Sequence, residues 1–226
     1  ARVVGSYDLK VWINYRSNED LALKVKDDIE NHGGNAAIIY FDVSKESEVL
    51  DALKVIADCD GGLSYLVNNA GITNDKLAMR MKNEDFLSVI EANLLSTFIS
   101  CREALKLMSK SRFGSVVNIS SIVGERGNAG QVNYAASKGG VIAMSKSFAY
   151  EGAPRNVRFN VITPGFIDTA MTASLKDDIK DTYIKNIPLA RFGSGIEVAN
   201  AAAFLLSDNS SYITGEVLRV NGGLHM

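Results

Sequence analysis

Apolar runs five to seven residues long recur along this chain, and most lead into a stretch whose apolar residues return every three or four positions. LKVWINY (Leu9–Tyr15) precedes Asn18–His32, where Leu21, Val25 and Ile29 fall on one helical stripe. The unit repeats with AIIYF (Ala37–Phe41) and a helix Lys45–Cys59, LSYLVNN (Leu63–Asn69) and a helix Asn83–Ser109, and SVVNIS (Ser115–Ser120) and a helix Tyr134–Glu151. VRFNVIT (Val157–Thr163), a helix Glu197–Ser207 and a strand Glu216–Val220 complete the series. Strands that are apolar throughout must be buried on both faces, so the rhythm predicts an α/β fold with a doubly wound parallel sheet. Ligands of such sheets bind at the carboxyl ends of the strands. No linker, low-complexity segment or internal repeat interrupts the pattern, and a chain that is 46% hydrophobic can fill one core, so residues 1–226 are expected to form a single domain.

The first line of the sequence is unusual for this rhythm. A doubly wound nucleotide-binding fold opens with a strand, a glycine-rich turn and a helix that receives a pyrophosphate. Here the opening ARVVGSYD reads as the tail of that helix. Without an inner strand the sheet would carry two unpaired edges and a large apolar surface. The expectation is therefore roughly 20 further residues upstream, the usual length of a strand plus turn.

Charge and cysteine usage narrow the function classes. The net charge is -2, and lysines and arginines are scattered among acids, so no basic face for nucleic acid or a membrane surface is expected. Cys59 and Cys101 fall in predicted helices without CxxC spacing, and His32 and His225 lie far apart, which predicts reduced core thiols and no metal site. No apolar run approaches the roughly 18 residues of a membrane span, and no signal peptide precedes the first strand, so a cytoplasmic setting is expected.

The chemistry concentrates at four strand ends, which in this fold line one crevice. They read NYRSN after the first strand, NNAG (Asn68–Gly71) after the third, Ser120-Ser121 after the fourth and PGFIDT (Pro164–Thr169) after the fifth. Ser121, Tyr134 and Lys138 are separated by thirteen and four positions. Four apart on a helix is one turn, so an ammonium stands beside a phenol. A phenol titrates near pH 10, and a nearby cation in a dry crevice is expected to lower that value and make it a proton donor near neutrality. The tyrosine–lysine spacing alone is equally an ordinary solvated turn; its combination with the other strand ends carries the argument. Asn93 alone reads as a helix-interior amide satisfied by backbone, and Gly71, Gly165 and Gly139-Gly140 as turn or packing glycines.

Together NNAG, Asn93, Ser121, Tyr134-x-x-x-Lys138 and Pro164-Gly165 resemble the classical short-chain dehydrogenase/reductase family, which has a Rossmann-type fold. NNAGITNDKLAMRMK, NYAASKGG, TPGFIDTAM and SYITGEVLRVNGG are similar to its 3-oxoacyl-[acyl-carrier-protein] reductases. The likeness runs from Leu9 to the C-terminus and lacks the family's TGxxxGxG turn, so the direct pyrophosphate contacts are unassigned.

The resemblance implies reduction of a 3-oxoacyl thioester on acyl carrier protein, in fatty acid biosynthesis. Tyr134 would be the general acid, Lys138 its cation and the holder of the nicotinamide ribose, Ser121 a donor to the carbonyl oxygen, and Asn93 the holder of a proton-relaying water. Asn69, Ala70 and Gly71 would let backbone approach the adenosine, and Asp42 and Val43 would meet the adenine. NAD-preferring relatives carry an acid where this chain reads Asn14-Tyr15-Arg16-Ser17; with Arg16 and Ser17 there instead, NADP(H) is expected. Pro164, Gly165, Ile167 and Thr169 resemble the loop that meets the nicotinamide carboxamide and pyrophosphate, followed by a lid over about Ala170–Ile187. Arg112 and Arg155 match arginines that flank the active-site entrance and would bind the acidic carrier protein. The family's usual homotetramer would form through the two long helices and the last strand. The alternatives are a reductase of a small free ketone, sugar or steroid, or a nucleotide-sensing relative without turnover, against which the joint presence of Ser121, Tyr134 and Lys138 speaks.

Overall fold

The computed structural model describes the backbone of residues 1–169 and 177–226. A short helix α1 (Arg2–Gly5) leads into β1 (Lys10–Tyr15), α2 (Glu19–Asn31), β2 (Asn35–Tyr40), α3 (Glu46–Asp60) and β3 (Tyr65–Asn68). There follow α4 (Asn83–Ile90), a π turn (Glu91–Leu95), α5 (Ser96–Ser111), β4 (Gly114–Ile119), α6 (Val123–Arg126), α7 (Val132–Gly152) and β5 (Val157–Pro164). The chain closes with β6 (Ile167–Asp168), α8 (Asp177–Lys185), β7 (Gly193–Ser194), α9 (Gly195–Leu206) and β8 (Val217–Val220). The expected strand–helix alternation is present, every strand pairing is parallel, and ARVVGSYD does begin with a helical turn.

The main sheet runs in the order β3-β4-β5-β8, while β1 and β2 pair separately. A cleft of about 1010 Å³ lies between β1 and β3, lined by apolar residues such as Val11, Ile13, Leu66 and Val198. Among the described residues β1 and β3 are each paired on one side only. Burial follows this division. All but one residue of β4 is buried, as are six of the eight in β5, whereas β1 has no buried residue.

The core is built from both sheet faces. On one side Val116, Val157 and Phe159 pack on Cys101, Met108 and Phe148 of α5 and α7, with Phe148 and Phe159 stacked at 5.2 Å between centroids. On the other, Val117 and Ile162 meet Ala202, Leu205 and Leu206 of α9. The long helix expected over Asn83–Ser109 is interrupted at Glu91–Leu95, where an i→i+5 turn shifts the register. Of the two cysteines, only Cys101 is the buried thiol expected; Cys59 lies in the last turn of α3, beyond Ile56, where the helix end is exposed. Among the described residues no helix is long and apolar enough to cross a membrane.

Candidate active site

The placement of Ser121, Tyr134 and Lys138 is set by how β4, α6 and α7 are fastened together. Ser120 directly follows β4 and its hydroxyl donates to the Lys138 carbonyl at 2.8 Å, tying strand end to helix. The chain then turns through α6, where Gly124 lies so close to α7 that a Cβ would sit 2.7 Å from the Lys138 carbonyl carbon. Glycine is required here for contact, not for backbone conformation. Ser121 is thereby hydrogen-bonded to the Tyr134 phenol, and Lys138, one turn along, donates from Nζ to the Ile119 carbonyl at 2.8 Å. The Lys138 ammonium stands 5.7 Å from the Tyr134 ring centroid. Ser121, Tyr134 and Lys138 therefore meet at the carboxyl end of β4, as expected.

The electrostatics differ from the sequence expectation. Burial pushes the Tyr134 phenol above its ordinary value, the Ser121 hydrogen bond pulls it back, and Asp75 raises it further. The expected lowering by Lys138 is not found, because desolvation of the phenol dominates and the ammonium is bonded to the Ile119 carbonyl. Burial also brings Lys138 down to about 8. Near neutral pH the phenol thus keeps its proton and the lysine is mostly charged, the states a proton donor and its cation need.

Asn93 sits inside the π turn, completely buried. Its Oδ1 accepts the Ile72 N–H at 2.8 Å, and its Nδ2 donates to the Ile72 carbonyl at 3.0 Å and to Ser137 Oγ at 3.1 Å. Both amide hydrogens are used, so of the side chain only the second lone pair of Oδ1 is left for a water. A Cβ on Gly71 would come within 3.1 Å of that oxygen and 3.5 Å of Lys138 Nζ, which is why the NNAG strand end closes on glycine.

The residues expected to meet the adenosine lie at the carboxyl ends of β1, β2 and β3. Val43, Asn69 and Ala70 line the cleft between the sheets. Arg16 Nη1 lies 3.7 Å from Asp42 Oδ2, with Arg16 and Ser17 both exposed. The Ser44 amide and hydroxyl donate to Asp42 and, with Arg16 adding to them, hold its carboxyl below the usual carboxylate range. Pro164 ends β5; a Cβ on Gly165 would sit 2.8 Å from the Asn221 Cβ, and Ile167 pairs with Gly193. Thr169 is exposed. Residues 170–176 of the expected lid lie outside the described residues; beyond them Phe166 stacks on Tyr183 of α8 at 4.2 Å.

A family model described as "Enoyl-(Acyl carrier protein) reductase" matches residues 1–225. The chain is 43% identical over 216 residues to the 3-oxoacyl-[acyl-carrier-protein] reductase FabG of Staphylococcus epidermidis, covering 96% of this chain and 88% of the relative. It is 48% identical over 204 residues to the protein of that name from Aquifex aeolicus, covering 90% and 82% of the two chains. For the Chlamydia pneumoniae protein the identity is 44% over 217 residues, or 96% and 86%. The chain belongs to the short-chain dehydrogenase/reductase family.

In this short-chain dehydrogenase/reductase the nicotinamide cofactor of the family fits the residues present. Gly71 lets backbone approach Lys138, and the ammonium, with one hydrogen on Ile119, has two more donors to offer. Arg112 and Arg155 are not near this crevice. They precede the amino ends of β4 and β5, whereas Ser121 and Pro164 lie at the carboxyl ends, so a strand length of roughly 20 Å separates them. Arg112 Nη2 donates to the Pro154 carbonyl at 3.2 Å, binding the two loops together. The expectation that they flank the entrance fails within one chain, because consecutive parallel strands put every preceding loop at the opposite edge.

Sequence reasoning passed over the buried amides around the site. Asn118 accepts from Asn68 Nδ2 at 2.8 Å and donates to Ser145 Oγ at 2.8 Å, linking β3, β4 and α7 beneath the crevice. Asn133, next to Tyr134, is completely buried. An asparagine inside an apolar strand or in the first turn of a helix was the available signal.

Proposed function

We propose that the chain reduces a 3-oxoacyl thioester on acyl carrier protein to the 3-hydroxyacyl form with NADPH, in fatty acid biosynthesis. The observation that carries the reading is the meeting of Ser121, Tyr134 and Lys138 at one strand end, in a chain 43–48% identical to 3-oxoacyl-[acyl-carrier-protein] reductases. The bound nicotinamide supplies the hydride for the carbonyl carbon. Ser121 and the Tyr134 hydroxyl converge on the carbonyl oxygen and stabilise the charge that develops there. Tyr134 then transfers its proton to that oxygen. Lys138 stabilises the phenolate left behind and binds the ribose hydroxyls, and the Asn93 Oδ1 lone pair holds a water on the way back to solvent.

Arg16 supports NADPH over NADH, since an exposed guanidinium at the end of β1 suits a 2′-phosphate. The position of Arg112 and Arg155 implies that they serve a crevice on another copy of the chain. The apolar faces of α5 and α7, with Phe98, Leu105 and Met144 around a hollow of about 530 Å³, suit the contact of a homotetramer in the cytoplasm.

The test is oxidation of NADPH and of NADH with acetoacetyl-carrier protein, a trans-2-enoyl carrier thioester and a panel of free ketones. The 3-oxoacyl carrier substrate with NADPH is expected to give the highest kcat/KM. Preference for a free ketone would move the chain to the small-ketone reductases, and absence of turnover with every substrate would leave a nucleotide-sensing relative.

A further inference from the structure

Tyr134 is held on one side by a buried amide and on the other by Ser137, which the Asn93 amide of the proposed catalytic set holds in turn. On its C-terminal side, Ser137 Oγ donates to the Tyr134 carbonyl at 2.8 Å and accepts from Asn93. On its N-terminal side stands Asn133, whose Oδ1 accepts the Tyr134 N–H at 2.8 Å. That N–H belongs to the first turn of α7, where helical geometry provides no backbone acceptor. The Nδ2 of Asn133 donates to the Asn74 carbonyl at 2.9 Å and to the Asp85 carbonyl at 3.1 Å. Three of the amide's four hydrogen-bonding positions are filled, and each partner lies on a different element.

Both asparagines grip the same segment. Asn93 holds it at Ile72 and Asn133 at Asn74, and it is joined to the start of α7 again where Lys76 N–H donates to the Gly130 carbonyl at 2.8 Å. Asp85 anchors its far end, accepting from Asn74 Nδ2 at 3.0 Å and Lys76 Nζ at 2.7 Å. The loop that follows NNAG and the helix that carries Tyr134 are therefore hydrogen-bonded together at several points, with the Tyr134 N–H on Asn133 and its carbonyl on Ser137, which Asn93 holds in turn.

We infer that Asn133 is a positioning residue for the reduction: it fixes the Tyr134 phenol relative to the NNAG loop, and hence to the bound substrate. The inference rests on the reading of Tyr134 as proton donor. A displacement of about 1 Å at a reacting group is enough to cost on the order of a hundredfold in rate. No other residue supplies the Tyr134 amide with an acceptor among the described contacts.

The full-length protein with Asn133→Asp and, separately, Asn133→Ala tests this, with Tyr134→Phe as reference. Asp is nearly isosteric with Asn, keeps the acceptor for Tyr134 and loses the donors to Asn74 and Asp85; Ala loses both. Expected are falls in kcat of about tenfold for Asp and about a hundredfold for Ala, with an unchanged dissociation constant for NADPH and a larger solvent deuterium isotope effect on kcat as proton transfer becomes limiting. A merely structural asparagine would lower the melting temperature and leave the isotope effect alone. Should Ala fail to fold, the Asp variant decides. Wild-type kcat and isotope effect in the folded variants, with Tyr134→Phe inactive, would overturn the role of Asn133 alone. Full turnover by Tyr134→Phe would instead remove the proton-donor reading beneath it.

Discussion

The two sides of the cleft between β1 and β3 are held by different means. The β3-β4-β5-β8 side is fixed from within: its central strands are buried on both faces, and its polar residues, Asn68, Asn118, Ser120, Asn133 and Asn93, are hydrogen-bonded to one another or to backbone. The β1-β2 side is half-exposed and is fastened at its rim by charged contacts, Lys10 and Trp12 to Asp60 and Arg16 near Asp42. The proposed proton transfer would need sub-ångström placement, and Tyr134 stands on the side where buried, satisfied amides leave the fewest alternatives.

The largest test of this contrast is Tyr134→Phe, which removes the proton donor and leaves the core in place. A loss of about 10²–10⁴ in kcat is expected, with the melting temperature nearly unchanged. Wild-type turnover would break the assignment of chemistry to the rigid side.

Next in size is a matched pair of truncations. Phe159→Ala in β5, completely buried between Phe148 and Cys101, is expected to cost about 3–5 kcal/mol in denaturant unfolding, and Ile38→Ala in half-exposed β2 about half of that or less. Equal losses would show that the two sides are one cooperative core with no difference in packing.

Lys138 gives a pH signature of the rigid side. Its folded value of about 8 lies below the ordinary 10.5, so the folded state disfavours the charged form. Below pH 8 the penalty is fully present. Between about 8 and 10.5 the unfolded chain binds more protons, and stability rises with pH. Lys138→Met should flatten that rise in melts from pH 7 to 11, and an identical slope in the variant would contradict the burial argument.

The smallest effect belongs to the rim. Arg16→Ala is expected to weaken NADPH by about tenfold in KM with kcat and NADH kinetics unchanged, the loss of one exposed phosphate contact. An equal change for both cofactors would detach Arg16 from the 2′-phosphate.

The strand–helix rhythm, the placement of NNAG, Ser121 and Pro164 at strand ends, and the Tyr134–Lys138 turn were legible because local periodicity encodes them. The π turn at Asn93 was not legible, since the register shift it makes shows only in which residues of Asn83–Ser111 the packing buries. Nor was the exposure of Cys59, which depends on how far the packing on α3 extends toward its last turn.

By itself the sequence determined which residues stand at the carboxyl ends of the strands and that Lys138 is one turn from Tyr134, because those relations follow from chain order and helical pitch. Tertiary structure decided the charge states and the distances between separate elements. Burial raised the phenol and lowered the lysine against the expectation from their proximity, and parallel topology sent Arg112 and Arg155 to the far edge of the sheet. Desolvation and long-range placement are properties of what surrounds a residue, and three-dimensional packing alone supplies the surroundings.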